Sequence, residues 1–258
     1  MPAPPWLHEE RVVSQFSGKR VLVTGALGTL GQAQVAAFLE AGADVVLLDR
    51  PGLADKGAQA CAGVRGASYL GLDLNELAAV EVRVRSLAAE RAFDILINNA
   101  ALIINKPFED FSIEEYEDQV RVNSSAAFAL VRAVTPGMKA KGYGKIVNFC
   151  SITLNGRWDG YVPYVASKGA MLGLTKSLSR ELGPHGIRVN AVSPGAVVSD
   201  AEARIFADRP QAYNDWVIEN QCLKERILPK AVADLVMFLV SPASDMITGQ
   251  NINVDGGW

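Results

Sequence analysis

Short β-rich runs, several of them almost continuously apolar, alternate along this chain with longer stretches of helical character. The strand candidates are RVLVTG (20–25), DVVLLD (44–49), ASYLGLD (67–73), FDILINN (93–99), KIVNFCS (145–151), IRVNAVS (187–193) and NINVD (251–255). Near-continuous apolar runs are what strands covered on both faces show. Between them lie LGQAQVAAFLEAG, NELAAVEVRVRSLAAERA and SIEEYEDQVRVNSSAAFALVRAVTPGMKAKG. The last opens with Ser112 and Glu115 at capping-box spacing. Gly42, Gly142 and Gly183 stand where helices should stop. Strand–helix alternation predicts right-handed crossovers and one doubly wound α/β domain, a parallel seven-stranded sheet with helices on both faces. Residues 1–17 read as an N-terminal extension and 18–258 as the domain.

Composition narrows the classes. Of 258 residues, 49% are apolar, enough for a sizeable core, and the formal net charge is −3. No basic block marks a nucleic-acid partner. No apolar run is long enough for a bilayer span. The start, MPAPPWLHEERVV, has neither the basic nor the apolar region of a signal peptide, so a cytoplasmic protein is expected. Cys61, Cys150 and Cys222 are odd in number and far apart, and only His8 and His185 are present, so neither a disulfide framework nor a metal site is expected.

The first strand runs into VTGALGTLGQAQ, where Thr24, Gly25, Gly28 and Gly31 form TGxxGxxG at a strand-to-helix turn. Glycines let the backbone approach a pyrophosphate, and the helix N-terminus offers free N–H groups and a positive dipole end. Gly25, Gly28, Thr29, Leu30 and Gly31 are therefore expected to hold a dinucleotide. Asp49 ends the second strand, where a carboxylate binds both ribose hydroxyls of the adenosine and repels a 2′-phosphate. The neighbouring Arg50 pulls the other way, but the glycine turn contains no Lys or Arg, so NAD is expected over NADP. Asp73, followed by Leu74, is placed at the adenine edge.

In YVPYVASKGA (161–170), Tyr164 and Lys168 share one helical face at i,i+4. Pro163 suits a first helical turn, which leaves Tyr161 in the preceding loop. A free phenol titrates near ~10, too high for an efficient base at neutral pH. An ammonium ~5 Å away at an effective dielectric of ~20 contributes about 3 kcal/mol, roughly two pKa units downward. Such a tyrosine takes a hydroxyl proton while hydride leaves, and returns it in reduction. Ser151 ends the fifth strand at the edge where open α/β sheets bind ligands, and its hydroxyl is placed to hold the substrate oxygen. Asn123, in RVNSSAAF, is a poor helix former that can bend the helix or hold a water.

With these residues the chain resembles the short-chain dehydrogenase/reductase family, in its compact branch of about 250 residues, from KRVLVTGALGTLG to TGQNINVDGG. The resemblance implies a Rossmann-like fold, a nicotinamide cofactor and an Asn–Ser–Tyr–Lys tetrad at Asn123, Ser151, Tyr164 and Lys168. NNAA (98–101) is similar to the family's NNAG beside the adenosine ribose, which implicates Asn99 and Ala100. PGAVVS (194–199) is similar to PGxxxT at the nicotinamide carboxamide, which implicates Pro194, Gly195, Val197 and Ser199. Tyr164 and Lys168 also meet the cofactor, Lys168 at the nicotinamide ribose, and Asn190 supports the site. A homotetramer is implied, with the fourth and fifth helices pairing. The chain departs from the compact pattern TGxxxGxG at Thr29, which takes the middle glycine position.

The substrate is expected between ITLNGRWDGYVP and the segment around 196–226, which resembles the family's mobile lid. Ser151, Arg157, Trp158, Tyr161 and Tyr164 are the expected substrate contacts. Arg204 and Arg209 could meet an anion, and Asn155, Asp159 and Gln221 hydroxyls; Trp216 could wall the pocket. These features point to an NAD-dependent dehydrogenase of a polar secondary alcohol: a sugar, a sugar acid or another hydroxy acid. The alternatives are an NADPH-dependent 3-oxoacyl-thioester reductase and a catalytically silent dinucleotide-binding regulator.

Overall fold

The computed structural model describes residues 15–258. Seven strands form one sheet: β1 (Arg20–Thr24), β2 (Asp44–Asp49), β3 (Ala67–Gly71), β4 (Ile95–Asn98), β5 (Gly144–Phe149), β6 (Ile187–Pro194) and β7 (Asn251–Val254). All pairings are parallel and the order is β3-β2-β1-β4-β5-β6-β7. The expected doubly wound sheet is therefore observed.

Alternation along each strand sorts the core into two layers. Val21, Val23, Val45, Leu47, Ile95, Ile97 and Val147 face Val35 and Phe38 of α1 (Thr29–Glu40) and Val232, Val236 and Leu239 of α9 (Pro229–Val240). Leu22, Val46, Leu48, Leu96, Ile146 and Val189 face the other way. They meet Val80 and Val84 of α3 (Leu77–Glu90), Leu130 and Val134 of α5 (Ala126–Lys141) and Leu182 of α6 (Val162–Leu182). Phe16 is 1% exposed and meets Phe38 edge-on, so packing reaches two residues beyond the boundary expected at residue 18. The rest of the expected N-terminal extension, residues 1–14, lies outside the described residues.

A short helix after Asp49, α2 (Ala54–Cys61), had no signal in the strand–helix reading. The stretch 112–142 is also not one helix. α4 (Ile113–Val120) opens with the expected Ser112–Glu115 capping box, and a wide π turn at Arg121–Ser125 then separates it from α5. Gly142 ends α5 in the left-handed conformation, φ 63°. After α6 that conformation falls on Gly186 rather than Gly183, because one 3-10 turn, Gly183–His185, is inserted first. Among the described residues no helix is long and apolar enough to cross a membrane, and no cluster of His, Cys, Asp and Glu could hold a metal ion.

Candidate active site

The sheet order reverses between β1 and β4, so the loops leaving their C-terminal ends part there and open a crevice. A cavity lies along that edge, lined by Asn99 after β4, Ser151 after β5 and Pro194 and Gly195 at the end of β6.

The glycine turn follows β1. Gly25 has φ 62°, a conformation other residues rarely adopt. A Cβ on Gly31 would stand 2.1 Å from the Gly25 carbonyl oxygen, so only glycine lets α1 start this close to the turn. Gly28 is different: a Cβ there meets nothing nearer than 3.4 Å. The protein's own packing tolerates a side chain at Gly28, so its bareness serves whatever approaches from outside. Gly28 is also the N-cap of α1, with no side-chain cap and no acidic residue in the first turn. Free N–H groups at a positive helix end with a bare glycine are a fit for a dinucleotide pyrophosphate. Gly28→Ala is expected to leave thermal stability unchanged and to weaken dinucleotide binding at least about tenfold. A fluorescence titration reads this, and an unchanged affinity would refute the assignment.

Three residues expected to touch the cofactor also brace the turn. Asp49 accepts from the backbone N–H of Leu27 at 2.9 Å and from that of Arg50 at 2.9 Å. Asn99 donates to the Thr24 carbonyl at 2.9 Å, and its own N–H and that of Ala100 donate to the Thr24 hydroxyl. These bonds tie NNAA to the glycine turn, which is why β4 and β1 carry the site together. Arg50 is exposed. Asp73 is exposed and accepts from the N–H of Asn75, a local turn bond, while the Leu74 side chain sits in the core rather than against a ligand. Lys56 of α2, which the sequence reading passed over, donates to the Leu27 carbonyl at 3.0 Å beside the turn.

Thr29 explains the departure from the compact pattern. Its hydroxyl accepts from the backbone N–H of Asp200 at 3.2 Å, so it joins the glycine turn to α7 (Asp200–Ile205). Ser199, expected to face a carboxamide, has its hydroxyl engaged as the N-cap of α7, accepting from the Glu202 N–H at 3.2 Å. Leu30, Pro194, Gly195, Val197 and Ser199 all line the cavity.

Tyr164 and Lys168 lie one turn apart on α6, with Pro163 in its first turn and Tyr161 as the N-cap. Both are buried at the cavity, at 8% and 2% exposure, and Ser151, at 7%, lies beside them. The Lys168 ammonium is 5.4 Å from the Tyr164 ring centroid and donates to the Phe149 carbonyl at 2.7 Å, which fixes it under the end of β5. The expected lowering of the phenol is opposed by its burial. Burial pushes Tyr164 up to about 12, with a hydrogen bond from Ser151 working the other way, and burial brings Lys168 down to about 8. Spacing reveals the charge pair but not the loss of hydration in the packed site, which opposes each group's charged form.

Asn123 sits in the π turn and reaches neither Tyr164 nor Lys168 with its side chain. It accepts from the Leu102 N–H at 2.6 Å and donates to the Leu102 carbonyl and to the Ser167 hydroxyl, each at 2.9 Å. Ser167 in turn donates to the Tyr164 carbonyl at 2.6 Å. Asn123 is therefore a strut that holds the tyrosine segment of α6 against the strand-four loop. Asn190 is likewise a brace, donating to the Ile247 carbonyl at 2.8 Å.

Of the expected substrate contacts, Ser151, Trp158, Tyr161 and Tyr164 line the cavity. Arg157 does not: it is exposed, as are Arg204, Asn155 and Asp159. The loop that presents Trp158 inward turns its neighbours to solvent. Arg209 is exposed too, but lies 5.8 Å over the Phe206 ring at the mouth. Gln221 is buried and bonds to the Leu223 and Glu225 carbonyls. The segment around 196–226 forms α7 and α8 (Pro210–Asn220) and contributes Glu202, Phe206 and Tyr213 to the wall. Sequence reasoning missed these and Thr153. Only the tertiary contact reveals them, because α7 and α8 carry no spacing signature of a site.

A family model described as enoyl-(acyl carrier protein) reductase matches residues 25–258. D-xylose 1-dehydrogenase of Caulobacter vibrioides is 32% identical, with 96% of this chain and 98% of that protein covered. Gluconate 5-dehydrogenase of Gluconobacter oxydans is 34% identical, with 94% and 95% covered. The crystal structure of a gluconate 5-dehydrogenase from Burkholderia cenocepacia, in complex with NADP and tartrate, superposes with a TM-score of 0.87 at 30% identity, covering 95% and 97%.

Proposed function

The chain belongs to the short-chain dehydrogenase/reductase family of NAD(P)-dependent oxidoreductases acting on secondary alcohols and ketones, and from that premise we propose that it is an NAD-preferring dehydrogenase of a polar secondary alcohol, a sugar or a hydroxy acid. The observation that carries the reading is Tyr164 and Lys168 buried one turn apart beside Ser151, between the glycine turn and the α7–α8 segment. Thr153, Tyr161 and Tyr213 add hydroxyls to a wall that is otherwise mostly apolar, and these are the groups that would meet a hydroxylated substrate; the Glu202 carboxylate there is already paired with Arg226 at 2.6 Å. Relatives named for xylose and gluconate support the same class. Asp49 supports NAD: its carboxylate stands at the end of β2 against the glycine turn, where it would meet an adenosine ribose and repel a 2′-phosphate.

When bound, the dinucleotide supplies the hydride acceptor in oxidation and the donor in reduction. The turn at Gly25–Gly31 would hold its pyrophosphate, Asp49 its adenosine ribose, and Lys168 its nicotinamide ribose. Ser151 and Tyr164 orient the substrate oxygen from two sides. Tyr164 takes the hydroxyl proton in oxidation and gives it back in reduction. Lys168, anchored on the Phe149 carbonyl, keeps positive charge against the phenol as it ionises. The α7–α8 segment closes over the substrate as a mobile lid, with Thr29 as its contact on the turn. A homotetramer in which the 112–142 stretch (α4 and α5) and α6 pair across subunits belongs to the same reading; Ile113, Tyr116, Phe128 and Val162 are exposed apolar side chains there, and light scattering measures the assembly.

The test is a panel of secondary alcohols and sugar acids with NAD, followed at 340 nm; no reduction across the panel would overturn the reading. The pH dependence has a definite sign. A phenol near 12 is protonated at pH 7, so ionising it for oxidation becomes easier as pH rises, while Lys168 stays charged up to about 8. The logarithm of kcat/KM for oxidation is expected to climb by about one per pH unit from 6 to 8 and then level, with reduction falling over the higher range. A flat profile would remove Tyr164 from the proton transfer.

A further inference from the structure

Three of the chain's four tryptophans meet at one place. Trp158 comes from the loop before α6, Trp216 from α8, and Trp258 is the last residue of the sequence. Trp158 lines the cavity and Trp258 does not. The two indoles are stacked, with centroids 5.2 Å apart and planes at 18°, and Trp216 meets both edge-on, at 5.1 Å from Trp158 and 5.0 Å from Trp258. Beyond the stack, Trp158 stands edge-on to Tyr161 at 6.4 Å and tilted to Tyr213 at 6.4 Å, and Tyr161 is 6.0 Å from the ring of Tyr164.

How Trp258 reaches this place is specified by the backbone. Gly256 and Gly257 both have positive φ, 67° and 79°, and fold the chain back after β7. Side chains there would collide with Gln221 and Cys222 at 2.8 Å. The tail is then clamped to the end of α8: Leu223 N–H donates to the Gly256 carbonyl at 2.8 Å and Cys222 N–H to the Gly257 carbonyl at 3.1 Å. The indole N–H groups of Trp158 and Trp258 are buried without a hydrogen-bond partner. No polar bond therefore sets the plane of either ring, and packing alone does so.

We propose that Trp258 is a positioning residue for substrate recognition: it holds the plane of Trp158 and, through Trp158, the wall formed by Tyr161 and Tyr213. The proposal rests on the dehydrogenase reading for its kinetic readout. Trp258→Ala is expected to raise KM for the alcohol at least about tenfold, with KM for the dinucleotide within about twofold and kcat within about threefold of wild type. Trp258→Phe is expected to restore most of the loss. Adding Trp258→Ala to Trp158→Ala is expected to do no further harm, since the first acts only through the second. An unchanged KM for the alcohol, or equal rises for alcohol and dinucleotide with a lowered melting temperature, would overturn the proposal.

Wild-type protein that turns over no secondary alcohol would instead defeat the functional reading. The wall is then read without turnover. In a Cys61→Ser, Cys222→Ser background the one remaining thiol is Cys150, which is 2% exposed and lines the cavity. Trp258→Ala is expected to speed its labelling by a maleimide at least about fivefold, as a loosened wall admits the reagent. An unchanged labelling rate would sink the proposal by itself.

Discussion

Replacing Tyr164 by phenylalanine is expected to lower kcat by about 10³ to 10⁴ while leaving dinucleotide affinity within about threefold. The substitution removes one oxygen and keeps the ring, which is 8% exposed and packed against Tyr161 at 6.0 Å. The fold should therefore persist, as a matching circular dichroism spectrum and melting temperature will show. The loss falls on turnover because the phenol is the group on α6 that can exchange a proton with the substrate oxygen. Ser151 is beside it, but a serine hydroxyl is a poor base, and its oxygen already accepts from the Thr153 N–H at 3.2 Å and hydroxyl at 3.0 Å. Lys168, 5.4 Å from the Tyr164 ring and donating to the Phe149 carbonyl, supplies charge beside the phenol rather than a base. Near-normal turnover in Tyr164→Phe would mean that another group or a water moves the proton, and the assignment would fall.

The second large effect concerns the cofactor. Asp49→Asn is expected to cut kcat/KM with NAD by about 10- to 100-fold, the magnitude of one or two lost charge-assisted hydrogen bonds. The same change should raise kcat/KM with NADP at least about tenfold, because repulsion of a 2′-phosphate disappears and Arg50 and Lys56 stand nearby. Asparagine is chosen over alanine because its carbonyl oxygen can still accept from the Leu27 N–H, the bond by which Asp49 steadies the glycine turn. Alanine would mix loss of charge with loss of turn geometry. Steady-state kinetics with both dinucleotides read the result. A ratio shifted by less than about threefold, or a wild-type enzyme that already favours NADP, would overturn the NAD preference.

Much of this architecture was legible in one dimension. The central runs became strands because a strand buried on both faces has no polar positions to interrupt it, while the edge strands β3 and β7 are only partly buried and carry polar residues. Gly25 and Gly31 were readable because positive φ and a backbone approach without room for a Cβ each admit almost only glycine. Tyr164 and Lys168 were readable because i and i+4 on a helix share a face whatever the rest of the chain does, and Pro163 marked which tyrosine was inside it.

What remained hidden depends on contacts between distant segments. The π turn at Asn123 follows from bonds to Leu102 and Ser167, 21 and 44 residues away. Nothing in RVNSSAAF announces them. The upward shift of Tyr164 and the downward shift of Lys168 come from burial, which a spacing argument cannot see. Thr29 looked like an irregularity until the N–H of Asp200, 171 residues on, was found on its hydroxyl. The same holds for the pocket wall, where Arg157 points to solvent while Tyr213 and Glu202 point inward. Local spacing determined the strands, the glycine turn and the Tyr164–Lys168 pairing on one helix face, because those are constraints of backbone geometry over a few residues. Tertiary packing alone decided which side chains are desolvated, which hydroxyls are already engaged and which rings line the cavity, because each of these depends on what a segment far along the chain brings against it.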